Sequence, residues 1–364
     1  MLLDNIRAEV RSLPGYSAPE RGRPVVKLDQ NECPFDLPEE IKRRALERLR
    51  TTPWNRYPGF ENPELREKLA ARLGVSPNQV LLGHGSNQII YSLAMAVLER
   101  GTRLVYSPPT FSLFELVGRI FGAELHPVPQ LPGFVLDGEA IAQAAEGARI
   151  TMIASPNNPT GAALDPAYLD RIAGNTSGLV LWDEAYHEFY GRTGLPAVQR
   201  HRNVLVLRTF SKAFGLAGVR FGFLVGDPEV IAELRKVNLP FNVDRLSEAV
   251  VDVALDNDGF VRERVERIVR ERQRLYTELA ATPGVVVFPS ETNFLLIRVP
   301  KAEIVFRSLL SQGVFVRSFV SVPGLEGCLR VTVGAPEEND LLLAALQKAL
   351  AEAGVSVEQV PAEG

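Results

Sequence analysis

Residues that could do chemistry stand directly after short apolar segments of the chain. Lys212 follows the apolar segment 204–208 and lies in SKAFGLAGVR, residues 211–220. A lysine next to small residues in a cleft at a sheet edge is partly desolvated, which lowers its pKa and makes its amine nucleophilic toward a carbonyl carbon. Most lysines are instead exposed, so this position alone does not establish a catalytic role.

Two further polar residues occupy comparable positions. Asp183 follows the apolar segment LVLW, residues 179–182. A carboxylate at the buried end of a strand needs a partner: a metal ion, an arginine, a protonated ring nitrogen, or the N–H groups of a helix that it caps. Asn158 belongs to SPNNPTG, residues 155–161, where flanking prolines fix a turn that directs the amide outward. An ordinary turn is the alternative for Asn158.

A glycine-containing segment, GHGSN at residues 83–87, precedes a predicted helix. Glycine lets the backbone approach an anion closely, and a helix N-terminus offers free N–H groups and the positive end of the helix dipole. The segment matches neither the dinucleotide-binding fingerprint nor the nucleotide P-loop. By itself it is a weak indication of a phosphate site.

Together, a lysine, an aspartate, a carboxamide and an anion site match the requirements of pyridoxal 5′-phosphate. Its aldehyde needs a lysine with which to form a Schiff base, and its pyridine nitrogen needs a carboxylate that keeps the ring protonated. Raising the pKa of that nitrogen by about two units takes roughly 2.7 kcal/mol. One hydrogen bond to a charged group, worth about 1.5–3 kcal/mol, supplies that free energy.

The elements that must position these residues alternate between short apolar runs and longer helical patterns. Strands are predicted at residues 79–82, 102–107, 150–154, 179–182, 204–208 and 222–225, and helices at residues 63–73, 87–100, 111–121, 166–173 and from 228 onward. Apolar strands that alternate with helices indicate an α/β fold, a mainly parallel sheet with helices on both faces. Ligands of such sheets bind beyond the carboxyl ends of the strands, where these polar residues are found.

A second α/β unit is predicted from residue 285 onward, after one or two long helices within residues 244–280. The predicted architecture is an N-terminal arm, a large domain with a mainly parallel, mixed sheet flanked by helices, and a smaller α/β domain. The arm comprises residues 1–26, the small domain residues 27–48 and 265–364, and the large domain residues 49–264.

Six motifs occur in order along most of the chain. They are LDQNECP (28–34), NRYP (55–58), SPNNPTG (155–161), DEAY (183–186), TFSKAFGLAGVR (209–220) and LRVTVG (329–334). Through them, residues 27–351 resemble the type I pyridoxal-phosphate enzymes with the aspartate-aminotransferase fold, in the class II aminotransferase group. Within that group the chain most resembles the histidinol-phosphate aminotransferase family.

The resemblance implies catalytic roles for Lys212, Asp183 and Tyr186. Lys212 would bind the aldehyde of the cofactor and move a proton between the substrate Cα and the cofactor. Asp183 would pair with the ring nitrogen. Tyr186 and Asn158 would hydrogen-bond the ring hydroxyl oxygen.

The resemblance also implies which residues hold the rest of the cofactor. Those around its phosphate would be Gly85, Ser86, Asn87, Thr209, Ser211 and Arg220. Phe111 would stack on the ring, at a position where many relatives have a tyrosine hydroxyl that is lost here. Tyr57 would reach the cofactor phosphate of a neighbouring subunit, which implies a homodimer with shared sites. Gln88 stands where a carboxylate is common in relatives.

Arg330 is a candidate for binding the substrate, because a forked guanidinium can form two hydrogen bonds to one carboxylate or phosphate group. A structural ion pair is the alternative. Histidinol phosphate lacks an α-carboxylate and glutamate has two carboxylates. The resemblance implies that Arg330 binds the phosphate of one substrate and a carboxylate of the other. Arg317 and Tyr16 would add contacts on the phosphate side, and Asn31 would line the site.

The expected reaction is amino-group transfer between L-histidinol phosphate and 2-oxoglutarate, in histidine biosynthesis. Two alternatives keep the fold: an aromatic amino-acid aminotransferase, and a threonine-phosphate decarboxylase, which would release carbon dioxide. A non-catalytic, cofactor-dependent regulator would need a DNA-binding module, for which residues 1–26 leave no room. A nicotinamide dehydrogenase would need the dinucleotide fingerprint, which is missing.

The composition of the 364-residue chain excludes other classes of function. Its 40 Lys and Arg against 44 Asp and Glu give a net charge of −4, and therefore no overall attraction to nucleic acid or an anionic membrane. Cys33 and Cys328 lie far apart and no zinc-ligand spacing occurs, so we expect neither a disulfide framework nor a metal site. No signal-peptide or membrane-spanning segment is evident, and a cytoplasmic enzyme is expected.

Overall fold

The computed structural model describes residues 2–13, 15 and 23–355. Its helices are α1 (Ala8–Arg11), α2 (Glu39–Thr51), α3 (Pro63–Leu73), α4 (Gly85–Val97), α5 (Ser112–Phe121), α6 (Gly138–Ala144), α7 (Tyr168–Gly174), α8 (His187–Tyr190), α9 (Pro228–Arg235), α10 (Arg245–Asp256), α11 (Gly259–Ala280), α12 (Ala302–Ser311) and α13 (Pro336–Glu352). Its strands are β1 (Val26–Leu28), β2 (Val80–Gly83), β3 (Arg103–Tyr106), β4 (Glu124–Pro127), β5 (Ile150–Ala154), β6 (Leu179–Asp183), β7 (Val204–Thr209), β8 (Gly222–Val225), β9 (Val286–Val287), β10 (Phe294–Arg298), β11 (Val314–Ser318) and β12 (Cys328–Thr332). Short 3₁₀ helices cover Leu2–Asn5, Pro77–Gln79, Pro132–Phe134, Leu195–Gln199 and Ala217–Val219.

Seven strands form one sheet in the order β2-β8-β7-β6-β5-β3-β4. The pairs from β7 through β6, β5 and β3 to β4 are parallel, and only β8 runs antiparallel to its two neighbours. The central strands are short and almost wholly apolar because both of their faces are buried. The predicted mainly parallel, mixed sheet is confirmed.

Alternate residues of the central strands enter two separate apolar cores, one on each face of the sheet. Val180 and Trp182 of β6 join the core under α3, α6, α7, α10 and α11. Leu181, between them, joins the core under α4, α5 and α9. Because helices cover both faces, as predicted, the ends of the strands are the places where this sheet can meet a ligand.

The carboxyl ends of the parallel strands meet at one edge of the sheet. In the strand register Ala154 lies opposite Asp183, and Asp183 lies opposite Leu207. Since β8 runs the other way, its first residue, Gly222, lies at this same edge, opposite Thr209. Residues far apart in the chain therefore converge beyond these positions.

A second sheet contains five strands in the order β1-β11-β12-β10-β9, with β1 parallel to β11 and the other pairs antiparallel. Apolar residues of α12 and α13, such as Val305 and Leu346, pack against it. Strand β1 precedes the seven-stranded sheet in the chain and β9–β12 follow it, so one sheet joins the two ends of the described chain. The predicted domain boundaries at residues 48 and 264 fall inside α2 and α11, and the division into domains stays a prediction.

Two further observations concern the described residues as a whole. None of their helices is long and apolar enough to span a lipid bilayer. Cys33 and Cys328 are both free thiols, and burial raises the pKa of each.

Candidate active site

The sheet edge at the carboxyl ends of the parallel strands opens into a cleft of about 400 Å³. This volume falls within the range of small-molecule sites. Residues of several chain segments line the cleft together, and ten of them were predicted for the site: Ser86, Asn87, Phe111, Asn158, Asp183, Tyr186, Thr209, Ser211, Lys212 and Arg220.

Lys212 lies in the loop that connects β7 to β8. Its Nζ donates a hydrogen bond to the backbone oxygen of Gln30 at 3.0 Å and lies 5.9 Å from the centre of the Tyr186 ring. Burial, together with the positive charges of Arg330 and Arg220, lowers the pKa of Lys212 from 10.5 to about 7. A lysine with a pKa near 7 is about half neutral at pH 7, and its neutral form can act as a nucleophile and as a proton acceptor.

Asp183 is the last residue of β6 and is 5% exposed. Its Oδ1 accepts a hydrogen bond from the backbone N–H of Ala185 at 3.0 Å. Burial, with a smaller contribution from the charge of Glu184, raises the pKa of Asp183 from 3.8 to about 7. Among the described residues no lysine or arginine pairs with Asp183. A cationic group of a ligand in the cleft would therefore stabilise the ionised carboxylate.

A half-buried arginine and two hydroxyl groups form an anion site at the start of α4. Nη1 of Arg220 donates to Ser211 Oγ at 3.4 Å and to the backbone oxygen of Ala217 at 3.0 Å, and no acidic residue within the described ranges pairs with Arg220. Thr209 Oγ1 donates to Ser211 Oγ at 3.0 Å. A Cβ at Gly85 would lie 2.5 Å from Nη2 of Arg220. Glycine thus lets the helix N-terminus and the guanidinium face the same space, which suits a phosphate.

Arg330 lies on β12, beside the cleft, and is 7% exposed. Its Nη1 donates to Asn158 Oδ1 at 2.5 Å and its Nη2 donates to the backbone oxygen of Asp29 at 2.8 Å. The ring centres of Phe294 and Phe319 lie 5.3 and 5.7 Å from its guanidinium carbon. Burial lowers the pKa of Arg330 to about 10, so the group stays charged at neutral pH.

The hydroxyl group of Tyr186 is fixed from behind by Asn31. Asn31 Nδ2 donates to the Tyr186 oxygen at 2.9 Å, and the backbone N–H of Asn31 donates to Thr332 Oγ1 at 3.0 Å. Burial raises the pKa of Tyr186, which keeps the hydroxyl protonated and able to donate to a ligand. Asn31, predicted to line the site, is itself 1% exposed and contacts Tyr186 instead.

Phe111 is carried by the loop after β3, and this loop is tied to the loop after β5. The buried side chain of Asn157 makes the connection: its Nδ2 donates to the backbone oxygen of Pro109 at 2.9 Å, and its Oδ1 accepts from Thr110 Oγ1 at 2.5 Å. The aromatic ring of Phe111 and the amide of Asn158 are therefore held on two loops that cannot move independently.

Two other predicted residues, Tyr57 and Arg317, are not among the residues that line the cleft. Tyr57 is 77% exposed and stacks on Phe241, with 4.7 Å between the ring centres. Arg317 is exposed and lies opposite Arg330 in the antiparallel pair of β11 and β12. Tyr16 lies outside the described residues.

Sequence analysis missed several contacts of the cleft. Gln30 and Glu32 line it, and although both belong to the LDQNECP motif, neither was given a role. Gln88, which stands where relatives often have a carboxylate, donates to Asn238 Oδ1 at 2.6 Å and accepts from the backbone N–H of His84 at 3.1 Å. Its amide therefore braces the loop that leads into α4. No group of three or more His, Cys, Asp or Glu side chains within the described ranges could hold a metal ion.

The cleft combines a lysine with a lowered pKa, a buried carboxylate that needs a cation, an anion site and an aromatic ring. A ligand that matches all four carries an aldehyde, a basic ring nitrogen and a phosphate on one flat ring. These are the functional groups of pyridoxal 5′-phosphate, so the side chains present fit this cofactor.

Comparison with known proteins also indicates an enzyme that uses pyridoxal 5′-phosphate. Residues 23–346 match the family described as aminotransferase class I and II. A histidinol-phosphate aminotransferase of Chlorobaculum tepidum is 41% identical over 326 residues, which are 89% of this chain and 94% of that protein. A histidinol-phosphate aminotransferase of Thermoanaerobacter pseudethanolicus is 36% identical over 355 residues, which are 96% of this chain and 100% of that protein. The crystal structure of histidinol-phosphate aminotransferase from Sinorhizobium meliloti in complex with pyridoxal-5′-phosphate is 28% identical, with a TM-score of 0.87, and the match covers 95% of this chain and 97% of that chain.

Proposed function

Because the chain belongs to the aminotransferase class I and II family, we propose that it uses pyridoxal 5′-phosphate to transfer the amino group between L-histidinol phosphate and 2-oxoglutarate, a reaction of histidine biosynthesis. The observation that carries the proposal is the convergence of Lys212, Asp183 and Arg220 in one cleft, with the guanidinium of Arg330 beside it. The two relatives named as histidinol-phosphate aminotransferases, 36% and 41% identical to this chain, support this choice of amino donor.

Pyridoxal 5′-phosphate, when bound, supplies an aldehyde that takes up the amino group and a ring that withdraws electrons from the substrate Cα. Asp183 would hold the ring nitrogen, because its buried carboxylate has no cationic partner among the described residues. Phe111 would lie against the ring. The phosphate would be held by Gly85, Ser86, Asn87, Thr209, Ser211 and Arg220.

Lys212 would both anchor the cofactor and move the proton. Its amine would bind the aldehyde between turnovers, and during turnover the free amine would accept the proton from the substrate Cα. A pKa of about 7 suits this role, because a base that titrates near the working pH both accepts and returns a proton readily.

Tyr186 and Asn158 would donate hydrogen bonds to the ring hydroxyl oxygen of the bound cofactor. The Tyr186 oxygen already accepts from Asn31, so its own proton is available to a ligand. Asn158 accepts from Arg330 at Oδ1, and its Nδ2 is therefore the atom that can donate. The contact with Arg330 fixes which end of the Asn158 amide faces the cofactor.

Arg330 would bind an anionic group of each substrate in turn: the phosphate of histidinol phosphate and a carboxylate of 2-oxoglutarate. The faces of Phe294 and Phe319 and the backbone of Asp29 hold its guanidinium in place. Arg317, which lies opposite Arg330 in the strand pair, would add a contact on the phosphate side, and so would Tyr16.

The proposal extends to a homodimer with shared sites, located in the cytoplasm. An exposed apolar surface supports it: Trp54, Tyr57 and Phe60 are 70%, 77% and 65% exposed, and such surfaces mark interaction sites. Tyr57 would cross this interface to the phosphate of the neighbouring subunit's cofactor. In the proposed domain division, the arm (1–26) precedes a small domain (27–48 and 265–364) that carries Arg330 and a large domain (49–264) that carries Lys212.

Steady-state assays of the cofactor-loaded protein test the proposed substrate. L-Histidinol phosphate, phenylalanine and tyrosine are each paired with 2-oxoglutarate and the glutamate formed is measured, while threonine phosphate is tested for release of carbon dioxide. We expect the highest kcat/KM with histidinol phosphate and no carbon dioxide. A higher kcat/KM with the aromatic donors, or release of carbon dioxide, would transfer the function to one of the two alternatives within the fold.

A further inference from the structure

A buried ion pair lies directly behind Asp183. Glu184, the next residue, is 1% exposed and is not among the residues that line the cleft. Its carboxylate accepts hydrogen bonds from Arg208 Nε and Thr193 Oγ1, each at 2.9 Å, and from the backbone N–H of Gly194 at 2.5 Å. Nη2 of Arg208 also donates to Thr193 Oγ1 at 2.8 Å. The carboxylate of Glu184 is thus fully hydrogen-bonded, and a single arginine balances its charge.

The pair joins the ends of the two strands that carry the proposed catalytic groups. The backbone N–H of Glu184, just after β6, donates to the backbone oxygen of Leu207 on β7 at 2.8 Å. Arg208 follows on β7, four residues before Lys212, and its side chain is only 11% exposed. Water therefore has little access to this ion pair and cannot replace the charge of Arg208.

Two adjacent buried carboxylates repel each other when both are ionised. The titratable groups around Asp183 are Glu184, Tyr186 and Lys212, and His187 lies against the backbone of Glu184, with Nδ1 3.1 Å from its oxygen. Within the described part of the chain, Arg208 is the cation that pairs with the Glu184 carboxylate. Without it, an uncompensated anion would stand next to Asp183 and favour its protonated form.

We propose that Arg208 and Glu184 are positioning residues for the ring nitrogen of the cofactor: Arg208 offsets part of the charge of Glu184 and thereby favours the ionised form of Asp183 opposite that nitrogen. This inference rests on the proposed function, because it requires pyridoxal 5′-phosphate in the cleft. It assigns a role to a pair of residues that touch neither the cofactor nor the substrate.

The test compares two ligands of the cofactor-free, full-length protein: pyridoxal 5′-phosphate and its 1-deaza analogue, in which a CH group replaces the ring nitrogen. Equilibrium dialysis gives the Kd of each. Arg208→Met should weaken binding of pyridoxal 5′-phosphate about tenfold, the effect of a one-unit rise in the pKa of Asp183, and leave binding of the analogue nearly unchanged. Equal losses for both ligands would show a general structural defect and overturn the proposal.

Glu184→Gln removes the anion and should keep or increase the preference for pyridoxal 5′-phosphate over the analogue. Adding Glu184→Gln to Arg208→Met should restore the preference that Arg208→Met loses. If Arg208→Met does not fold, a reduced preference in Glu184→Gln or in the double variant would still overturn the proposal. Arg202→Met is the matched control, because Arg202 is 69% exposed and pairs with Asp227 away from the cleft. It should change neither Kd.

Asp183→Ala in the same assay separates failure of this inference from failure of the proposed function. We expect Asp183→Ala to lose the preference for the ring nitrogen, because alanine has no polar group that can pair with it. If it keeps the preference of the unmodified protein, Asp183 does not pair with the nitrogen and its proposed role in cofactor binding is wrong. If Asp183→Ala loses the preference and Arg208→Met keeps it, only the role of Arg208 and Glu184 is wrong.

Discussion

Arg330 donates a hydrogen bond from Nη1 to Asn158 Oδ1 across 2.5 Å, although 172 residues separate the two in the chain. Arg330 lies on the five-stranded sheet, and Asn158 follows a strand of the seven-stranded sheet. The bond therefore links the proposed anion-binding residue for substrates to a residue that lines the cofactor cleft. A displacement of Arg330 would therefore change the hydrogen bonds that Asn158 can offer to a ligand in the cleft.

Arg330→Lys should raise the KM for both substrates. A lysine cannot reproduce the fork that contacts Asn158, Asp29 and a bidentate anion. A hydrogen bond to a charged group contributes about 1.5–3 kcal/mol, so each KM should rise roughly 10- to 100-fold. Initial rates with L-histidinol phosphate and with 2-oxoglutarate as the varied substrate give the two values. A rise in only one KM would contradict a shared site.

Lys212 should capture the cofactor with a midpoint near pH 7. Because burial lowers its pKa from 10.5 to about 7, the amine is protonated and unreactive below that pH and neutral above it. The rate at which cofactor-free protein forms the covalent link, followed by absorbance, should rise between about pH 6 and 8 and then level off. A midpoint near the ordinary lysine value of 10.5 would contradict this prediction. Lys212→Ala should form no covalent link and show no turnover, while still binding some cofactor.

Gly85→Ala should weaken cofactor binding through Arg220. The added Cβ would lie 2.5 Å from Nη2 of Arg220, which must then move away from the anion site. Loss of one charged hydrogen bond to the phosphate, about 1.5–3 kcal/mol, corresponds to a Kd at least roughly tenfold higher. Equilibrium dialysis measures this Kd.

Gly133→Ala is the matched control for that variant. Gly85 and Gly133 both have a positive φ, of 76° and 75°, but a Cβ at Gly133 meets no atom within 4 Å. Both variants should therefore lose a similar amount of stability, about 1–2 kcal/mol, on account of the left-handed backbone. Only Gly85→Ala should lose affinity for the cofactor, and equal Kd values in the two variants would show that the contact with Arg220 is irrelevant.

Tyr57→Ala and Lys212→Ala should complement each other when the two variants are mixed. In a hybrid of the proposed dimer, the subunit that retains Lys212 would receive Tyr57 from its neighbour, and one of the two shared sites would be intact. Random reassociation makes half of the dimers hybrids, and activity should recover to about a quarter of that of the unmodified protein. Activity after unfolding and refolding the mixture measures this recovery. Activity no higher than the mean of the two separate variants would show that Tyr57 acts within its own subunit or not at all.

The positions of the cleft residues could be predicted because the apolar strands mark where each one ends. Asp183, Asn158 and Lys212 each follow such a strand, and parallel strands bring their carboxyl ends to one edge. The type of each residue then indicated the functional group that it would contact. The local sequence was therefore sufficient to predict these three positions and a functional group for each.

Contacts that depend on distant pairing were not predicted. Asn31 contacts Tyr186 across 155 residues, and nothing near Asn31 in the chain indicates that it stands behind an aromatic hydroxyl group. Arg208 likewise became recognisable as the partner of Glu184 only when β6 and β7 were seen to pair. Both contacts are products of the tertiary structure.

Helix α2 was also missed, for a different reason. Only Ile41, Ala45 and Leu49 are buried among its 13 residues. These three residues recur every four positions, which is the spacing of an amphipathic helix, so the pattern was present in the sequence and was overlooked. The helix is stabilised by packing against α10, with Arg48 paired to the carboxylate of Asp252, and not by its own sequence alone.

The most direct test of the proposed function is a half-reaction. Cofactor-loaded protein is mixed with L-histidinol phosphate in the absence of any oxo acid, and the visible absorbance of the bound cofactor is followed. We predict rapid loss of this absorbance and its return on addition of 2-oxoglutarate, which would establish both half-reactions in the cleft that contains Lys212. Absorbance that persists with histidinol phosphate but is lost with phenylalanine or tyrosine would contradict the proposed substrate and leave Arg330 as a binding site for carboxylates only.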